Sequence, residues 1–168
     1  MTNAKPGRIV PSMAALAIAL ASLVASLVAY AATSAPKVSF DIASPPEASP
    51  GATVQLIFEA SLPGGYHVNS DAPLDEFLKP TRLLLEMPDG VYLENIAYPP
   101  ASLFKTQFAE EPLAVFEHTF SIGASLRIGD RVKPGEYPVH ATLKYQACSD
   151  RVCYPPATRS TEIVLIVD

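Results

Sequence analysis

The chain has 168 residues, a formal charge of −5, 49% apolar residues and no tryptophan. That length suits one domain with a real core. Its 12 basic residues face 17 acidic ones and form no run, which excludes the electrostatic footprint of a nucleic-acid binder.

The first 35 residues read as an export segment. Lys5 and Arg8 precede an apolar run from Met13 to Ala32, and small residues offer cleavage sites at Ala29-Tyr30-Ala31 and Thr33-Ser34-Ala35. The run just reaches the ~18–20 residues of a bilayer span, so an uncleaved anchor is the competing expectation. Either way, residues 36–168 are expected outside the cytoplasm, with contact to a membrane only through that anchor. Removing Lys5 and Arg8 leaves 10 basic against 17 acidic residues, a net charge of −7.

The remainder reads as strands. Val38 to Ile42 alternates apolar and polar residues. Val54 to Ala60 follows the turn-like Ser49-Pro50-Gly51, and Tyr66 to Ser70 follows Pro63-Gly64-Gly65. Arg82 to Met87 and Val91 to Tyr98 flank Pro88-Asp89-Gly90. Leu113 to Ile122 reads as one strand. Tyr137 to Gln146 sets Val139, Ala141, Leu143 and Tyr145 on one face, with His140, Thr142, Lys144 and Gln146 on the other. Thr161 to Val167 closes the chain. Only short turns are expected near Leu74 to Lys79 and Ala101 to Lys105. This many short strands with Pro/Gly punctuation predict an all-β, antiparallel β-sandwich of immunoglobulin-like type.

The chain has two cysteines, in Tyr145-Gln146-Ala147-Cys148-Ser149-Asp150-Arg151-Val152-Cys153-Tyr154-Pro155-Pro156. In an oxidising compartment they are expected to pair. Cys148 would end one strand of a hairpin and Cys153 begin the other. A bridge closing about six residues stabilises by only ~2 kcal/mol, against more than ~4 for one closing on the order of 100. Short-range bridges of exported domains are nonetheless commonly structural, so composition leaves two readings open: a bridge that stiffens a loop, or one that exchanges.

The flanks of this segment resemble the redox hairpin in the N-terminal periplasmic domain of the DsbD thiol–disulfide interchange proteins. Gly65-Tyr66-His67-Val68-Asn69-Ser70, Lys79-Pro80-Thr81 and Tyr98-Pro99-Pro100 are similar to the same family, and the resemblance runs from about Val38 to Val167. It implies a Cys148–Cys153 redox pair, Cys153 forming mixed disulfides and Cys148 resolving them. It further implies a thioredoxin-like or membrane electron donor and oxidised periplasmic client proteins. The loop between the cysteines has four residues, where the best-known members have five. An aromatic cap loop is also implied, for which Phe108 is the candidate and Phe104 the alternative. Asp75-Glu76-Phe77 is a less convincing one.

Around the pair, Arg151 and Asp150 read either as the solvated charges of a polar hairpin turn or as charges that favour and oppose a thiolate. Tyr145 and Tyr154 either flank the sulfurs or simply pack a sandwich end, and Pro155 is a supporting candidate that brackets the loop. Gln146 is expected to face solvent from a strand edge, with a role in orienting the loop as the alternative. His67 reads as a turn or surface residue. His67, His118 and His140 lack metal-ligand spacing, and no cofactor motif is present. A non-catalytic immunoglobulin-like binding module with a structural hairpin disulfide is the alternative function.

Overall fold

The computed structural model describes residues 35–43 and 46–168. All of the predicted export segment except Ala35 lies outside the described residues. The strands are β1 (Ser39–Ile42), β2 (Glu47–Ala48), β3 (Thr53–Ser61), β4 (His67–Asn69), β5 (Arg82–Glu86), β6 (Val91–Ala97), β7 (Ser102–Phe104), β8 (Leu113–Glu117), β9 (Thr119–Ile128), β10 (Gly135–Tyr145), β11 (Ala147–Cys148) and β12 (Ala157–Val167). No helix occurs among the described residues.

Two sheets make the sandwich, in the orders β1-β3-β9-β6 and β2-β12-β10-β5. Their strands alternate with the period of two that buries one face. Leu56, Phe58 and Ala60 of β3 turn inward with Ile122, Ala124 and Leu126 of β9. Val139, Ala141 and Leu143 of β10 join Ile163, Leu165 and Val167 of β12 in the same core. Each fully buried large side chain here stabilises the fold by roughly 1.5–3 kcal/mol. His140 and Lys144 are exposed on the outer face. All pairings are antiparallel except β2 with β12. The result is the predicted immunoglobulin-like sandwich.

The sandwich has two distinguishable ends. β10 and β12 begin their pairing at Gly135 and Val167 and finish it at Tyr145 and Ala157. The C-terminal Asp168 donates its N–H to the Ala48 carbonyl at the first end. Near the second end, Arg159 Nε donates to the Val38 carbonyl, and Ser39 opens β1 opposite the last residue of β3, Ser61. The described chain therefore starts at the end where β10 and β12 part toward the cysteines, and finishes at the other.

A third sheet, β11-β4-β8-β7, closes the cysteine end. Its creation departs from the sequence reading at several points. The expected single strand from Leu113 to Ile122 is two strands, because His118 adopts φ 53°. That left-handed residue, of a type more tolerant of the region than most, turns the chain from β8 in the third sheet into β9 in the first. The expected turn at Ala101 to Lys105 carries β7. β9 runs on to Ile128, and β12 begins at Ala157 rather than Thr161. The turn near Leu74 to Lys79 does form, with the Asp75 carboxylate accepting from the Phe77 N–H at 2.8 Å.

The third sheet is covered on both faces. Val68 of β4, Ala147 of β11 and Phe116 of β8 stand in one row and enter the sandwich core. Their neighbours His67, Asn69, Cys148 and Val115 turn to the opposite face and are buried as well. That second buried face carries Cys148.

Candidate functional site

Residues 145–157 build the site by breaking one ladder and starting another. Tyr145 still pairs with Ala157. Opposite Gln146, Pro155 and Pro156 have no N–H to offer the ladder. The chain bends there, and Ala147–Cys148 pairs with β4 instead, Cys148 lying opposite His67. Beyond the bend the turn closes on itself. Tyr154 N–H donates to the Ala147 carbonyl and Ser149 N–H to the Val152 carbonyl, both at 2.8 Å. The Ser149 hydroxyl accepts from the N–H groups of Arg151 and Val152, each at 3.2 Å.

Cys148 and Cys153 face each other across this turn, with Cα atoms 4.0 Å apart, and are joined by a disulfide. Their surroundings are unequal. Cys148 is completely buried, while Cys153 is only half-buried and sits next to the exposed Val152.

Gln146 corrects the sequence expectation most clearly. It is half-buried and not turned to solvent. Its Oε1 accepts from Asn69 Nδ2 and from the Lys79 N–H, each at 3.1 Å. Its Nε2 donates to the Tyr154 carbonyl at 3.1 Å. One side chain thus ties the cysteine turn, β4 and the 70–80 loop together. Asn69 completes the knot by donating to the Lys79 carbonyl at 3.0 Å.

The other candidates divide. Tyr145 is a core residue, 2% exposed. Tyr154 stands beside the turn, its ring 6.1 Å from that of Tyr66. Desolvation, then the neighbouring Tyr66 hydroxyl, holds its phenol above the ordinary value. Pro155 is exposed. Arg151 pairs with Asp150 at 3.9 Å, with 79% and 52% of the two side chains exposed. Such a pair contributes at most about 1 kcal/mol.

The segment from Ser102 to Pro112 lies against this turn. The Gln107 N–H donates to the Asp150 carbonyl at 3.1 Å. Phe104 sets its ring 4.5 Å from the imidazole of His67. Phe108 is 45% exposed and lines a cleft shared with Leu74, Phe77 and Leu113. Phe77, of the Asp75-Glu76-Phe77 triplet, is 80% exposed at the rim of that cleft.

His67 was expected in a turn or at the surface; it lies in β4 and is 1% exposed. Burial pushes its pKa below the ordinary value, and the nearby Glu117 carboxylate pulls it partly back. Nothing in the local sequence around Cys148 announces this neighbour. The only signal is the Gly65-Tyr66-His67-Val68-Asn69-Ser70 stretch, part of the resemblance noted above.

The family model for the N-terminal region of the thiol:disulfide interchange protein DsbD matches residues 36–165. Among solved structures, the N-terminal periplasmic domain of ScsB from Proteus mirabilis is similar, at 15% identity and a TM-score of 0.51. That match covers 78% of this chain and 47% of the ScsB chain, so the chain spans about half its length. The reduced DsbD N-terminal domain of Neisseria meningitidis gives 18% identity and a TM-score of 0.41, over 77% of this chain and 82% of that one. A type I cohesin of ScaB from Pseudobacteroides cellulosolvens gives 12% and 0.49, over 78% and 92%. No curated protein sequence matches the chain.

Proposed function

Because the chain belongs to the DsbD N-terminal domain family, we propose that it performs thiol–disulfide interchange outside the cytoplasm through Cys148 and Cys153. The observation that carries this reading is the unequal burial of the bridged pair: one sulfur position is sealed and the other lies at the surface of an exposed turn. A structural bridge needs no such asymmetry. A bridge that meets other proteins needs one reachable sulfur and one held back to resolve. The sandwich core is also independent of a loop closure that contributes only ~2 kcal/mol.

The cycle has two halves. A thioredoxin-like or membrane donor delivers two electrons and reduces the Cys148–Cys153 bond to two thiols. Cys153 then attacks an oxidised client, its thiolate forming a mixed disulfide while one client sulfur leaves. Cys148 attacks Cys153, restores the intramolecular bond and releases the second client sulfur. The client ends with two electrons more and the domain with two fewer. Residues 1–35 serve as the export signal or anchor and residues 36–168 as the exchanging domain. The ScsB domain with the shared fold is itself periplasmic.

The test is the reduction potential of the pair, read by equilibration in dithiothreitol or glutathione buffers, alkylation and mass. A value in the roughly −180 to −270 mV range of exchange proteins is expected. A value well below about −300 mV would mark a structural bridge and favour the binding-module alternative.

The segment carrying Phe104 and Phe108 is assigned as the cover of the turn, with Phe108 as its movable aromatic. Its link to Asp150 and its half-exposed ring support that role. Phe108→Ala is expected to speed dithiothreitol reduction of the disulfide several-fold while leaving the urea midpoint nearly unchanged. An unchanged reduction rate would remove Phe108 from the cover.

A further inference from the structure

Four chemistry-bearing residues stand in one transverse row across neighbouring strands. Cys153 is bridged to Cys148, Cys148 lies opposite His67, and His67 lies opposite Glu117. Directly opposed residues of antiparallel strands point to the same face, with Cβ atoms about 4.5–5.5 Å apart. The row therefore places Cys148, His67 and Glu117 at adjacent register positions on one face of the third sheet. His67 is 1% exposed, its ring is closed over by Phe104 at 4.5 Å, and among the described residues its Nε2 has no hydrogen-bond partner. A buried polar atom left unpaired costs stability, so its persistence calls for a partner that appears at another stage.

That stage is the reduced one. When the disulfide opens, Cys148 becomes a thiol in a fully buried position. Burial in apolar surroundings disfavours the thiolate, yet the thiolate is the attacking species. Arg151 cannot meet this need from the exposed turn, where it pairs with Asp150. Resting on the exchange reading above, we propose that His67 Nε2 accepts the proton of the Cys148 thiol in the resolving step, with Glu117 as a positioning residue that steadies the imidazolium.

The step balances as follows. In the mixed disulfide, a client sulfur is bonded to Cys153 Sγ. The Cys148 S–H proton passes to His67 Nε2, and the electron pair left on Cys148 Sγ forms the bond to Cys153 Sγ. The Cys153–client S–S bond breaks, and its pair departs on the client sulfur. Protonation of that thiolate, from the imidazolium through solvent, returns His67 to neutral. The charged or titratable groups facing His67 across its ladders are Cys148 from β11 and Glu117 from β8, while β7 contributes only the Phe104 ring. Burial lowers the imidazole pKa below its ordinary value, which favours the neutral form that can accept a proton.

Oxidised glutathione is the probe. Reduced protein is mixed with it, quenched in acid at intervals, and the Cys153–glutathione species followed by mass. In the wild type this species forms and then resolves, at a rate that falls at low pH as His67 takes up a proton. In His67→Gln the formation rate is unchanged, resolution at pH 7 slows at least ~10-fold, and the rate climbs with pH as the thiol itself ionises. Glu117→Gln, at a half-buried site, moves the low-pH limb to lower pH, because the carboxylate that raises the imidazole pKa is gone. Should His67→Gln fail to fold, the limb shift in Glu117→Gln decides. Wild-type resolution rates and pH profiles in the folded variants would overturn the proton-acceptor role and leave the exchange reading standing. A wild type that never forms or never resolves the mixed disulfide would overturn both.

Discussion

Cys148→Ala is expected to accumulate a mixed disulfide through Cys153, and Cys153→Ala to accumulate at least tenfold less. Removing Cys148 deletes the resolving sulfur but leaves the reachable one. Removing Cys153 leaves a sulfur position that is completely buried, with His67 across the ladder on one side and the turn on the other. An incoming disulfide must approach in line with the attacking thiolate, and no such approach to Cys148 exists without unfolding the turn. Each variant would be reduced, desalted, exposed to an oxidised thioredoxin-like protein and run on a non-reducing gel. Equal trapping by the two variants would reverse or abolish the assigned roles, and no trapping by either would count against exchange altogether.

Gln146→Ala is expected to destabilise the fold by about 3 kcal/mol, the sum of three lost hydrogen bonds at roughly 1 kcal/mol each. Its melting temperature should fall by on the order of 10 °C. The reason is geometric. Asn69 Nδ2 and the Lys79 N–H lose their shared acceptor, and the Tyr154 carbonyl loses its donor. Asn69 is fully buried, so water does not replace that partner freely. Gln146→Glu keeps the acceptor but sets a carboxylate against the Tyr154 carbonyl, and should fall between wild type and Gln146→Ala. Urea unfolding followed by circular dichroism reads all three. A loss below about 0.5 kcal/mol, the usual range for an exposed position, would mean that Gln146 behaves as the solvent-facing residue its local sequence suggests.

That contrast shows what was legible in the chain and what was not. The sandwich was legible because its strands bury one face, and alternation such as Val139-His140-Ala141-Thr142-Leu143 states that face directly. The cysteine turn was legible because all of it is local. Gln146 was not, since its side-chain partners Asn69 and Lys79 lie 77 and 67 residues away, and no local pattern encodes a partner that distant. His67 was misread for the same reason: its burial follows from pairing with β11 and from Phe104 closing over it. The break at His118 escaped because a left-handed residue interrupts neither apolar content nor length. Leu113 to Phe116 is buried on both faces and so offers no alternation whose loss could mark the end of β8. β7 was missed because three residues after two prolines carry too little pattern to distinguish an edge strand from a turn.

The start of the described chain beside the cysteine end, and the finish of β12 at the opposite end, fix how the molecule can be handled and presented. A probe attached at Ser39 would sit at the same end of the sandwich as the turn. Anything fused after Asp168 departs from the far end. Immobilised by its C-terminus, the domain would stand with Cys153 directed away from the support. Immobilised through Ser39 instead, it would hold that sulfur close to the support, within reach of whatever shares it.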